Sequence, residues 1–380
     1  MDIAELQKHW DRFGQKDPFW AILTSASQRN NRWQQQEFFE TGKAEIAKAL
    51  DQLQTLGVQL TYGRCLDFGC GVGRLTQALQ EHFAECDGVD IAPSMIEAAQ
   101  RYNQYPETCR YHLNGVADLR LFADQSFDFI YSTLVLQHMQ PEYSKSYIAE
   151  FMRILKPGGV AYFQAPSEVN MRIYDQALPE SGYRAQITVA TPLIVTAPGK
   201  QTTLQVTVKN VGDSVWEAAN DVDVTCHFTL GNHWLDAQGA MVQYDDGRTP
   251  LRQRLAPGEQ VQMELIITAP AQSGDYQVEL DLVQEMICWF KDRGSQTTRV
   301  PVQSRLHPLK KIQQAIGALF ARSKPAPEAP PVMEMHCIHR DEVVRLVEEH
   351  GGQVAHILND TYCGKGWISY TYIATKNATT

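Results

Sequence analysis

Leu66-Asp67-Phe68-Gly69-Cys70-Gly71-Val72-Gly73 runs from an apolar strand into a glycine-spaced turn, and Arg74-Leu75-Thr76-Gln77-Ala78-Leu79 resumes at helical period. Glycines at a strand-to-helix turn let the backbone approach a ligand with no Cβ in the way. The spacing departs from the dinucleotide pattern, because Arg74 stands where the last glycine of G-x-G-x-x-G belongs. Asp67 at the strand end disfavours a pyrophosphate on the helix N-terminus and suits an ammonium group or a bridging water. A cationic or zwitterionic ligand is therefore expected.

Cys86-Asp87-Gly88-Val89-Asp90-Ile91 follows as a second strand, ending in an acid roughly 20 residues past the turn, where ribose hydroxyls are usually taken. Asp90 is the ribose candidate. Ile91-Ala92-Pro93-Ser94-Met95-Ile96 then opens a helix with Ser94 as its cap, placing Ile91 and Met95 to sandwich a purine. Helix core is the competing reading of Met95.

Together with Ser126-Phe127-Asp128-Phe129-Ile130-Tyr131-Ser132-Thr133-Leu134-Val135-Leu136-Gln137-His138 and Ile154-Leu155-Lys156-Pro157-Gly158-Gly159-Val160, these stretches resemble the class I S-adenosylmethionine-dependent methyltransferases, four motifs in the family's order. The resemblance implies an α/β fold with a Rossmann-like, seven-stranded sheet and S-adenosyl-L-methionine as cofactor. By that likeness the glycine turn, Asp67, Gly69, Cys70, Gly71 and Gly73, wraps the methionine moiety. Asp90, Ile91 and Met95 hold ribose and adenine, Val116, Ala117 and Asp118 lie near adenine, and Ser132, Leu134 and His138 face the methyl group. Asp118 has a turn-starting role as its alternative.

Methyl transfer is an in-line displacement, in which alignment alone can supply about 7–11 kcal/mol. An oxygen acceptor must also lose a proton, and His138 is the catalytic candidate for general base, with helix capping as the competing role. Arg74, Tyr131 and Tyr143 are further pocket candidates.

A length of 380 residues with 43% hydrophobic content predicts two or three domains with proper cores. Residues 1–60 read as a helical lid, with Ile3, Leu6 and Trp10 at helical spacing, Asp17-Pro18 starting a second helix, and Trp33, Phe39 and Gly42 as candidates for shaping the acceptor pocket. Residues 61–182 alternate strand and helix as the first part of the methyltransferase domain. Between 183 and 304 the pattern becomes alternating strands with turn signals such as Ala197-Pro198-Gly199-Lys200 and Ala256-Pro257-Gly258-Glu259, an inserted all-β sandwich of immunoglobulin-like kind. Asp223-Val224-Thr225-Cys226-His227-Phe228 is one of its expected strands. Residues 305–332 form an amphipathic helix and a Pro-rich linker, and 333–380 return to a helix and two strands that complete the family's sheet. The sandwich is thus inserted after the fifth strand.

Eight cysteines without C-x-x-C or zinc spacing read as reduced thiols, so no metal site is expected. No apolar run is long enough to span a bilayer and no signal peptide is apparent, which points to the cytoplasm. A net charge of −10 argues against nucleic acid as partner. The oligomeric state is not legible. The leading function is O-methylation of a glycan or other polar small molecule. A second is methylation of a lipid or quinone, with the basic helix 306–322 touching the membrane surface. A third is a catalytically weak scaffold that binds partners through the sandwich.

Overall fold

The computed structural model describes residues 1–24, 28, 31–219, 226–305 and 331–378. The chain divides into two compact units, Met1–Val169 with Glu328–Thr380, and Asn170–Pro327. The expected amphipathic helix 306–322 and most of the expected linker lie outside the described residues.

The first unit is a seven-stranded sheet. Its strands are β1 (Arg64–Phe68), β2 (Glu85–Asp90), β3 (Cys109–Leu113), β4 (Phe127–Ser132), β5 (Leu155–Val169), β6 (Gly352–Asp360) and β7 (Trp367–Lys376). Their order is β6-β7-β5-β4-β1-β2-β3, with β7 antiparallel to both neighbours and the others parallel. Strand order reverses at β1 and β4, the crevice where open α/β sheets bind ligands at the carboxyl ends of their strands.

Both faces of this sheet are covered. Leu66, Ile130, Phe163 and Tyr372 join one core with α6 (Pro141–Ile154) and α7 (Arg340–Glu349), through Ile148, Phe151, Val343 and Val347. The alternate residues Cys65, Phe129, Tyr162 and Ile373 pack on the opposite side against α3 (Gln35–Thr55) and α4 (Arg74–Gln80), through Ile46, Leu53, Leu75 and Leu79. Burial on both faces explains the near-continuous apolar runs of the strands. Each fully buried large side chain contributes about 1.5–3 kcal/mol.

The amino-terminal helices α1 (Ile3–Lys16) and α2 (Pro18–Ile22) cross the carboxyl ends of β1 and β2. Asp17 caps α2 by accepting from the Trp20 N–H at 3.4 Å, and Pro18 occupies its first turn. The start of α5 (Pro93–Tyr102) differs from expectation. Ser94 is not its cap; Asp11 of α1 accepts the Ser94 backbone N–H at 2.8 Å, and the Ser94 hydroxyl donates to the Asp11 carbonyl at 2.8 Å. The Gln7 amide also donates to the Ile91 carbonyl at 2.9 Å. Among the described residues no helix is long and apolar enough to cross a membrane.

The second unit holds two further sheets. One is three-stranded, in the order Gln260–Thr268, Gln201–Asn210, Ala185–Val189. The other is seven-stranded and centres on Phe228–Asp236, Gly274–Gln284 and Thr298–Ser304. Leu204, Val206, Leu265 and Ile267 from the first share one core with Leu230, Trp234, Val278 and Leu280 from the second. The unit begins earlier than 183, because Leu178 packs on this core and Gln176 accepts from the Gln284 side chain at 2.9 Å. The strand expected over 223–228 starts instead at Phe228, since Cys226 adopts φ +61 and breaks the extended run; residues 223–225 lie outside the described set.

The close packing of α1 on α5 leaves no room at Gly14, where a Cβ would lie 2.3 Å from the Ser94 hydroxyl oxygen. Gly14→Val is expected to destabilise the protein by about 1–3 kcal/mol through overpacking. A urea midpoint equal to that of the parent chain would contradict this packing.

Candidate functional site

The glycine turn is pinned to the end of β2. The Gly69 and Cys70 N–H groups donate to the Val89 carbonyl at 2.8 and 3.0 Å. The Gly71 N–H donates to one Asp90 carboxylate oxygen at 2.9 Å, and the Ala92 N–H to the other at 2.8 Å. Each oxygen retains acceptor capacity toward a ligand. Burial raises the Asp90 pKa, while the Ala92, Gly71 and Ile91 backbone groups pull it down.

The three glycines of the turn have different neighbours. At Gly71, φ +52, a Cβ would lie 2.5 Å from Ile22 Cδ1, so glycine lets α2 close over the turn. Gly73, φ +81, precedes α4 and faces the Tyr111 hydroxyl rather than the cavity. Gly69, Cys70 and Gly71 line a cavity of about 510 Å³, together with Asp90, Ile91, Met95, Leu134 and His138.

Other expected positions do not line it. Asp67 is only 1% exposed, and accepts from the Thr76 hydroxyl at 2.6 Å; burial raises its pKa to about 7. It ties β1 to α4 instead of presenting a carboxylate to a ligand. Ser132 is buried and donates to the Phe68 carbonyl at 3.1 Å, and the neighbouring Thr133 lines the cavity. Val116, Ala117 and Asp118 form an outer turn in which the Asp118 carboxylate accepts from the Arg120 N–H. Asn114, two residues earlier, faces the cavity; its amide is held by the Asp118 carbonyl at 2.8 Å.

The wall supplied by the amino-terminal helices is Ile3, Leu6, Trp10, Ile22 and Leu23. Trp33, Phe39 and Gly42 are elsewhere. Trp33 and Phe39 pack on Phe38, and a Cβ on Gly42 would meet the Arg74 backbone oxygen at 2.6 Å. Their spacing reflects helix packing.

Arg74, 3% exposed, donates to Glu45 at 2.8 Å and to the Thr41 hydroxyl at 3.3 Å. Its Nε has no partner among the described residues, and the side chain lines the cavity. Glu45 also accepts from the Tyr131 and Thr133 hydroxyls at 3.1 and 2.9 Å, so α3 is wired to the end of β4.

His138 faces Trp10, with ring centroids 5.2 Å apart. Its Nδ1 lies 2.9 Å from the Glu334 carbonyl. A carbonyl only accepts, so Nδ1 carries the proton and Nε2 presents its lone pair. Burial lowers the His138 pKa to about 4, against the raising effect of the Glu334 carbonyl, and the imidazole is neutral at pH 7.

Leu134 sits in the left-handed region at φ +60. Its N–H donates to the buried Gln164 side chain at 3.0 Å, and the Gln164 amide nitrogen in turn donates to Ser369 Oγ at 2.7 Å and Cys363 Sγ at 3.0 Å. Met333, Met335, Tyr362 and Cys363 complete the cavity from the chain's carboxyl-terminal part. No motif marks these last residues. The Ile3, Leu6 and Trp10 spacing was visible in the sequence but had no partner face to identify it.

Residues 66–163 match the family model described as a methyltransferase domain. A biotin biosynthesis bifunctional protein, BioHC, of Cellvibrio japonicus is 38% identical over 29% of this chain and 21% of its own length. A trans-aconitate 2-methyltransferase of Deinococcus radiodurans is 28% identical over 36% of this chain and 50% of its own length. The chain thus spans half or less of these relatives. A magnesium protoporphyrin IX methyltransferase (ChlM) from Synechocystis PCC 6803, solved with bound SAH, aligns over 99% of this chain and 100% of its own, at 11% identity and a TM-score of 0.42.

The depressed His138 pKa has a signed consequence for stability. In the unfolded chain the imidazole titrates near its ordinary 6.5, so between about pH 6.5 and 4 the unfolded state binds more protons. Stability from this group is therefore lost as pH falls through that window. Urea midpoints at pH 7 and pH 5 should drop further for the parent chain than for His138→Gln; equal drops would contradict a buried neutral imidazole.

Proposed function

We propose that the first unit binds S-adenosylmethionine and methylates an oxygen of a small-molecule acceptor, the carrying observation being Asp90 joined to the glycine turn at the mouth of a cavity that also holds a neutral histidine. The residues fit that cofactor. Asp90 has acceptor capacity for ribose hydroxyls, and the Gly69, Cys70 and Gly71 backbone lines the same cavity. The orphaned Nε of Arg74 supplies a buried cation-borne donor for a carboxylate. Ile91 and Met95 offer apolar surface for a purine, with Asn114 beside them.

When bound, the cofactor supplies an electrophilic methyl group on a sulfonium. The chain's own residues hold the acceptor and exclude water. Leu134, fixed by Gln164, shapes the floor, while Trp10, Leu6 and Met335 form an apolar cover. His138 Nε2 accepts the acceptor's hydroxyl proton, and the Glu334 carbonyl stabilises the protonated ring through Nδ1.

A glycan or other polar molecule is the leading acceptor, with Trp10 in the cavity wall beside His138. The apolar wall of Ile3, Leu6, Met333 and Met335 favours a second reading, a lipid or quinone acceptor. We read the two sheets of the second unit, with their shared core, as an immunoglobulin-like sandwich inserted after β5.

Extracts incubated with methyl-labelled cofactor test the acceptor: label in the aqueous fraction supports the polar acceptor, and label confined to the organic fraction supports the lipid or quinone. Asp90→Asn should weaken cofactor binding at least tenfold by calorimetry, about 1.4 kcal/mol, because an amide loses one acceptor beside two N–H groups. His138→Gln should lower the transfer rate to a hydroxyl acceptor by about 10²–10⁴-fold with cofactor affinity unchanged. Parent-like rates in His138→Gln would remove it as the base.

A further inference from the structure

We propose that the second unit carries its own binding groove for a saccharide bearing an acidic group, on the face of its seven-stranded sheet opposite the core. Along Gly274–Gln284, Val278, Leu280 and Leu282 enter the core, so Glu279 falls on the other face. There it is almost fully buried, yet it floors an open groove of about 640 Å³.

Glu279 is held by four donor groups from three residues. Arg299 Nε and Nη2 approach one carboxylate oxygen at 2.9 and 2.8 Å, the Thr297 hydroxyl reaches the same oxygen at 3.1 Å, and Lys291 Nζ lies 3.3 Å from the other. These partners hold the Glu279 pKa below its ordinary value against the opposing effect of burial, so the carboxylate is ionised at neutral pH. Among the residues that line the groove, the two cations Arg299 and Lys291 outnumber the one carboxylate, Glu279, in a chain whose net charge is −10. Exposure is unequal: the Glu279 side chain is 5% exposed and Arg299 52%. The groove thus presents cationic donors rather than the acid.

The donors are rigidly placed, which lowers the ordering cost of recognition. Arg299 and Glu279 stand on paired strands, in direct register. Lys291 Nζ is additionally held over the Tyr244 ring at 5.7 Å. Tyr244 is 54% exposed and Met241, on the groove wall, 47%. The N–H groups of Arg299 and Lys291 that Glu279 does not engage, with the Met241 thioether on the groove wall and Tyr244 next to Lys291, match a sugar, which offers hydroxyl oxygens on its edge and CH groups on its face. The single surplus charge selects an isolated carboxylate or phosphate on that sugar. A nucleic acid would need many more phosphate contacts.

The groove lies wholly within the second unit, and the inference goes beyond methyl transfer and does not depend on it. The full chain is applied to an array of oligosaccharides bearing uronic acid, sialic acid or sugar phosphate, each beside its neutral analogue. Binding to an acid-bearing class at least tenfold tighter than to the neutral analogue is expected. Arg299→Met should abolish that preference and Arg299→Lys should retain part of it. Calorimetry with S-adenosylmethionine should be unchanged in both variants, which separates failure of the groove from failure of the cofactor site, and a parent-like β-sheet circular dichroism spectrum and thermal unfolding profile report that the second unit is folded. No binding to any acid-bearing glycan, equal binding to neutral analogues, or parent-like binding by Arg299→Met would overturn the proposal.

Discussion

The end of β2 receives four backbone N–H groups, and the cavity depends on that convergence. Val89 takes Gly69 and Cys70, and the Asp90 carboxylate takes Gly71 and Ala92. A turn with glycines at alternate positions has many conformations available to it, and these bonds select one. The same carboxylate serves two elements, the glycine turn after β1 and the entry to α5 after β2, so its charge is spread over donors from both. Asp67, which the sequence places as prominently, acts from behind the turn by bonding Thr76.

The remaining walls come from segments far away along the chain. Asp11 and Gln7 bond the opening of α5, holding α1 over the cavity. On the other side, Gln164 of β5 bonds the left-handed Leu134 and is itself held by Ser369 and Cys363. Glu334 reaches His138 through its backbone carbonyl. The carboxyl-terminal part therefore does more than finish the sheet: it sets a strained backbone and a histidine tautomer. An inserted unit between β5 and these residues is tolerated because β7 pairs with β5 along most of its length, recovering the register after the excursion.

The two units differ in how much of their chemistry follows from pattern. In the first, the cavity-lining places of Gly69, Gly71, Asp90, Ile91 and Met95 are legible because they are local, a strand end followed by a turn and a helix start. Val116 and Asp118 were placed two to four residues beyond the cavity-lining Asn114, since an irregular loop has no period from which to count. Trp33, Phe39 and Gly42 lie away from the cavity because position in a helical segment does not record which face meets the sheet. In the second unit, alternation identified the strands, but the Glu279, Arg299 and Lys291 cluster required pairing of non-adjacent strands before its members met.

By itself the sequence determined the α/β order of the first unit, the change to alternating strands after β5, and the glycine turn that lines the cavity. These are short-range properties, set by backbone sterics and by periods of 2 and 3.6 residues. Only the tertiary structure decided that Asp67 is buried while Asp90 faces the cavity, that Trp10 and Met335 form its cover, and that His138 carries its proton on Nδ1. The reason is physical: solvent exposure, hydrogen-bond partner and tautomer are set by atoms brought together from distant positions, and no local pattern records which atoms those will be.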